Sequence, residues 1–140
     1  MAKSTSNAGP ASRADKTPNE RKQAAVDFLQ LVVSGKINEA YHKYVDLGGK
    51  HHNPHFRDGF LALQKAMSDN QVKYPRKQLT VKNVLGDGDL VAVHSRLLMG
   101  PGEIAVIAVH LFRFSGGKIV EMWDCGQPVP ADSPNKDGAF

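Results

Sequence analysis

The chain has almost no cysteine, no long apolar run and no strong excess of one charge. Its 140 residues hold one cysteine, Cys125, so neither an internal disulfide framework nor a cysteine-built zinc site can form. A lone thiol suits a reducing compartment. No uninterrupted apolar segment approaches the ~18 residues of a membrane span. The N-terminus lacks the apolar core of a secretory signal. The cytoplasm is the expected location, and no membrane partner is expected. There is no phosphate-cradling glycine loop, no serine nucleophile elbow and no internal repeat.

What is present is a near-average globular mix, 41% hydrophobic and 23% charged, in a length that suits one domain. The formal charge of +4 points first to a polyanion, but its distribution argues otherwise. Residues 1–23 hold five basic against two acidic side chains, and the remaining 117 hold thirteen against twelve. The body is nearly neutral, so nucleic acid is not an expected partner. Any such affinity would be weak, salt-sensitive and lost with residues 1–16.

Residues 1–16 are small, polar and too poor in apolar surface to offset ordering, and are expected to be a disordered leader. The domain is expected over 17–130, with an extended, proline-containing tail over 131–140. Thr17-Pro18-Asn19-Glu20 is a helix start, with a capping box and proline at the first turn. Apolar spacing predicts helices to about Ser34, over Ile37–Val45 and over Gly59–Asp69. From Gln78 the period becomes that of strands, predicted over Leu79–Leu85, Leu90–Met99, Ile104–Phe114 and Lys118–Cys125, with glycine-rich turns between them. Three helices followed by antiparallel hairpins make an α+β domain with its helices on one side of the sheet. The strand over 104–114 is apolar on both faces, Val106, Ala108 and Phe112 on one, Ile107, Val109 and Leu111 on the other. Helices cover one face, and a second copy of the chain is the simplest cover for the other.

His94 and His110 each interrupt an apolar strand face, where a polar group must find a partner or line a cavity. A lone one is most simply a satisfied core histidine. Two on adjacent strands are expected nearly opposite each other. Asp124 follows Trp123 in the last strand, and alternation puts them on opposite faces without saying which faces inward. A carboxylate there needs a donor, or burial raises its proton affinity. Asn53, before Pro54, can donate and accept. His51, His52 and His55 lie around it in a loop or short strand, while His42 is expected to be solvated. His52, His94, His110 and Asp124 would be an acceptable zinc set, but no ligand spacing supports it and no metal is expected.

Phe28-Leu29, Ser34-Gly35-Lys36-Ile37-Asn38-Glu39-Ala40-Tyr41, His52-Asn53-Pro54, Gly88 to His94, Phe112-Arg113-Phe114, Gly117 to Glu121, Trp123-Asp124 and Gln127 together resemble the SnoaL-like polyketide-cyclase family of the nuclear transport factor 2-like (NTF2-like) superfamily. The resemblance spans about residues 20–130. It implies a cone-shaped α+β barrel, a curved antiparallel sheet closed by three N-terminal helices around a pocket, and frequent dimers through the sheet. It implies pocket positions at His52, Asn53, His94, His110, Trp123, Asp124 and Gln127, with Asp124 nearest to the cyclases' acid/base. The family pattern has an aspartate where this chain has His110 and a histidine where it has Met122.

The expectation is a cofactor-free acid/base enzyme, of aldol-cyclase or isomerase type, acting on a small apolar carbonyl compound. Asp124, His110 and His94 are its catalytic candidates. His52, Asn53, Phe56, Phe112, Trp123 and Gln127 are the expected binding residues. The alternatives are a non-catalytic binding domain with the same pocket, or a partner-binding module whose pocket is filled.

Overall fold

The computed structural model describes residues 15–140. The expected disordered leader lies outside the described residues as far as position 14. Helix α1 (Pro18–Val33) begins where the capping signals put it. Thr17 Oγ1 accepts from the Glu20 N–H at 3.2 Å, and Glu20 accepts from the Thr17 N–H at 2.9 Å. Its buried face holds Ala24, Ala25, Phe28, Leu29 and Val32. Helix α2 (Ile37–Tyr44) buries Ile37, Ala40, Tyr41 and Tyr44. Helix α3 (Phe60–Lys73) buries Phe60 and Leu63 and runs one turn beyond the expected end at Asp69.

Five strands follow or interleave with the helices: β1 (Val45–His51), β2 (Gln78–Asp87), β3 (Leu90–Leu98), β4 (Ala105–Ser115) and β5 (Lys118–Pro128). They form one sheet in the order β1-β5-β4-β3-β2. All neighbours are antiparallel except β1 and β5, which run parallel. Strand β1 is the one element that periodicity did not predict. Only its end residues, Val45 and His51, are buried, so it has no apolar alternation. Gly48-Gly49 reads as a helix stop but lies within the strand. Gly49 is required there because a Cβ would overlap the carbonyl oxygen of Val120 on β5.

Register breaks in the β2–β3 pair between Val81 and Asn83, in β4–β5 between Arg113 and Phe114, and in β1–β5 between Val45 and Lys50. Such bulges bend and twist strands, and the sheet curves into a cone closed by the helices. Edge-to-face aromatic contacts tie the layers together. Phe28 meets Tyr41 at 5.3 Å and Phe112 at 5.9 Å between ring centres, and Tyr41 meets Phe60 at 6.4 Å. The concave inner face carries Val91, Val93 and Ser95 of β3, all buried, opposite Phe112, His110 and Ala108 of β4. The outer face carries the half-buried Ile107, Val109 and Leu111. Among the described residues, no helix is long and apolar enough to cross a membrane.

Candidate functional site

The β4–β5 register places His110 directly opposite Asp124. Directly opposed residues share a face, and His110 shares the inner one with Phe112. Asp124 therefore points inward and Trp123, paired with Leu111, points outward. The donor that an inward carboxylate requires is Asn53. Its Nδ2 donates to both Asp124 oxygens, at 2.9 and 3.1 Å.

Asn53 is itself held from three sides. Its Oδ1 accepts from the His55 N–H at 2.9 Å, which sets the orientation of the amide. Its own backbone N–H donates to His51 Nδ1 at 3.1 Å. An accepting Nδ1 leaves the proton on Nε2, and Nε2 donates to the Arg57 carbonyl at 2.8 Å. Buried His51, the last residue of β1, thus pins both ends of the loop that carries Asn53. Tyr41 comes from α2. Burial first, and the nearby Asp124 charge second, push its phenol above the ordinary range, so it keeps its proton at neutral pH. The His110 imidazole is held below its ordinary range by burial, which the Asp124 charge partly opposes.

Asn53, His110 and Asp124 meet in a cavity of about 410 Å³, which Tyr41 and His51 do not line. Asn53, His110 and Asp124 supply its polar wall, Leu97, Val106 and Ala108 its apolar wall, and Pro54 and His55 part of its rim. Three of the expected site residues therefore lie together. Phe112 does not line the cavity. It is fully buried, parallel to the His110 ring at 6.1 Å, and supports that ring from the core.

The other expected positions lie elsewhere. His94 pairs with Val109, while His110 pairs with Val93. That offset of one residue puts His94 on the outer face, where Asn83 Nδ2 donates to its Nδ1 at 3.0 Å. His52 stacks on Trp123 at 5.1 Å on the outside of the sheet. Its Nε2 donates to Glu121 at 2.6 Å. This bond, helped by Lys50 and Arg113 and opposed by desolvation, holds the Glu121 carboxyl below the usual range. Gln127 pairs with Ile107 on the outer face and lines a separate cleft under the C-terminal tail. Phe56 is 38% exposed and does not touch the cavity. The four-residue zinc set is not assembled, because His52 and His94 stand outside the sheet and His110 and Asp124 inside. Among the described residues, no three His, Cys, Asp or Glu side chains are grouped to hold a metal.

Sequence reasoning put Tyr41 on the apolar face of the second helix, left His51 in a loop or short strand without a role of its own, and passed over Ser95. Tyr41 carries no sequence signal beyond its place on a buried helical face. Ser95 does carry one, as a hydroxyl at an inward position of the strand Val91-Ala92-Val93-His94-Ser95.

The family model for the SnoaL-like domain matches residues 26–122. The chain belongs to the SnoaL-like family. No curated protein matches the sequence significantly. Solved structures that resemble this SnoaL-like chain include AclR, a candidate hydroxylase from Streptomyces galilaeus, at 21% identity and TM-score 0.68, covering 79% of this chain and 91% of that one. IdmH, a candidate polyketide cyclase from Streptomyces antibioticus, is 17% identical at TM-score 0.63, covering 76% and 91%. An epoxide hydrolase of M. tuberculosis, described as LEH-like, is 16% identical at TM-score 0.63, covering 79% and 84%. These likenesses establish the NTF2-like cone fold. Three neighbours with three chemistries on one fold leave function to the site.

Proposed function

We propose that this SnoaL-like domain binds a small, largely apolar carbonyl compound and moves a proton on it, as an aldol-type cyclase or isomerase would. The observation that carries the reading is Asp124 and His110 paired on the wall of a cavity whose apolar side is Leu97, Val106 and Ala108, with Asn53 fixing the carboxylate. Asp124 is the base that takes a proton from the carbon next to the carbonyl. The electron pair moves onto the carbonyl oxygen, and the neutral His110 ring donates a hydrogen bond to that developing enolate. Reprotonation at another carbon gives an isomer, and attack of the enolate on a second carbonyl gives a ring. Neither outcome needs a cofactor. Asn53 positions Asp124.

Hydrogen–deuterium exchange at the alpha carbon of 2-tetralone in D2O, followed by NMR, tests this. Asp124→Asn should slow enzyme-dependent exchange by about 100-fold or more, and His110→Ala by at least about tenfold. If both variants exchange at the wild-type rate, the assignment is wrong. One observation favours a second reading, in which the domain binds its ligand without changing it: both Asp124 oxygens already accept from Asn53. That reading predicts saturable ketone binding with no exchange above buffer.

Two copies are proposed to pair through the outer sheet face, supported by the half-exposed row of Ile107, Val109 and Leu111. The single exposed thiol of Cys125 suits a reducing compartment, so the cytoplasm is the proposed location.

A further inference from the structure

Among the described residues, two polar atoms beside the cavity are buried without a partner: Ser95 Oγ and His110 Nδ1. Native structures leave few such atoms, and each calls for a cause. These two are neighbours. Ser95 pairs with Ala108 and Val93 pairs with His110, so Ser95 and His110 are diagonal positions on one face of the β3–β4 pair, within reach of a shared small group. Ser95 is completely buried, yet the residues around it form the cavity wall. Leu97 follows it on the same face of β3, and Ala108 and His110 lie across from it on β4; all three line the cavity. Ala108, with only a methyl group, is the smallest of the three. Packing alone would favour a small apolar residue over serine here, because an unpaired hydroxyl weakens a closed core.

We infer that Ser95 and His110 form a second polar subsite at the closed end of the cavity, which opens past Leu97 and Ala108 to take a hydroxyl or carbonyl oxygen of the ligand. The ligand class is then an apolar carbonyl compound with two oxygen functions, a carbonyl whose alpha carbon lies at Asp124 and a second oxygen at Ser95. A serine hydroxyl both donates and accepts, and a neutral imidazole nitrogen does either according to tautomer. The pair therefore suits an oxygen that is itself donor and acceptor, which favours hydroxyl. Ser95 is a specificity residue in this scheme and takes no proton from the reacting carbon. The inference rests on the cavity being the ligand site proposed above.

The test compares 2-tetralone with 6-hydroxy-2-tetralone by titration calorimetry on the wild type and on Ser95→Ala, with thermal melts of both proteins. The expected result is a wild-type preference for the hydroxylated ketone of about tenfold or more. Ser95→Ala should abolish that preference, leave 2-tetralone binding unchanged and not lower the Tm. His110 Nδ1 should also shift in the 15N NMR spectrum of the wild type when the hydroxylated ketone binds. If both ketones bind with no preference that depends on Ser95, the subsite is wrong and the proposed function stands. A lowered Tm with the preference intact makes the hydroxyl structural, which also overturns the inference. If neither ketone binds the wild type, the ligand reading itself fails and takes the subsite with it.

Discussion

At the scale of single residues, the site depends on Asn53 more than on any other side chain, because its amide joins the 52–58 loop to β5. Asn53→Leu strips Asp124 of its donor and the His55 N–H of its acceptor, and such losses cost about 1–3 kcal/mol each when the group stays shielded. Urea unfolding should show a loss of about that size. Combining it with Asp124→Asn should cost less than the two single losses together, since both break one contact. Additive losses would show that the contact contributes nothing. His110 makes a second residue-scale prediction, in pH. Burial lowers its folded pKa, while the unfolded ring titrates near ~6.5. Above that value both states are neutral and pH has no leverage. As pH falls through it, the unfolded chain takes a proton that the native ring refuses, so stability is lost until the folded value is reached. The Tm difference between wild type and His110→Gln should therefore shrink between pH 8 and pH 5, and a constant difference would refute the shift. Asp124, His110 and Asn53 were legible as chemistry because each is a polar group in or next to an apolar strand. Which face each occupied was not, because one residue of register separates His94–His110 pairing from the His94–Val109 pairing observed.

At the scale of elements, the capped first helix and the four antiparallel strands were readable because composition and pattern agree at each. Strand β1 was not, because it lacks the apolar alternation of a strand and carries two glycines. Its parallel place beside β5 is decided by tertiary contact, and it shapes the candidate site because it carries His51 and leads into the loop whose Asn53 meets Asp124. The two glycines are not equivalent. A Cβ at Gly49 would strike the Val120 backbone and come within 2.9 Å of Phe60, whereas one at Gly48 would meet only Asp46 Oδ1 at 3.3 Å. Backbone cannot move aside as a side-chain tip can. Gly49→Ala should destabilise the fold by about 1–3 kcal/mol, and Gly48→Ala by no more than about 0.5 kcal/mol. Chemical denaturation of both variants checks this, and equal effects would mean that β1 does not lie against β5 as described. A lost or shifted β1 should also weaken ketone binding in Gly49→Ala, through the Asn53 loop.

At the scale of the whole molecule, the sheet divides two roles: its inner face encloses the cavity, and its outer face carries the half-buried apolar row Ile107, Val109 and Leu111. Part of that outer face is occupied by the chain itself. The Val129 N–H continues the β4–β5 pairing onto the Ala105 carbonyl at 2.9 Å. The tail then folds back beside Ile107 and Gln127, and the Phe140 ring reaches His94, 6.4 Å between centres and tilted by 26°. Phe140 is still 40% exposed, so the tail is a partial cover, and Val109 and Leu111 stay half-buried. Val109 is the decisive position. It sits on the central strand β4, paired with His94 on one side and Cys125 on the other, and its side chain points away from the cavity. An aspartate at the centre of a copy-to-copy interface would be desolvated without a partner, while in a monomer it would meet water. Val109→Asp should therefore turn a wild-type dimer into a monomer by sedimentation velocity at micromolar concentration, with its circular dichroism and 2-tetralone binding unchanged. Removing residues 131–140 separates the two covers: if the tail and the partner share the face side by side, the dimer weakens, because the row from Ile107 to Leu111 loses part of its apolar surround. A wild-type monomer in the same experiment would mean that the tail alone suffices to cover the outer face, and the pairing proposal would fall.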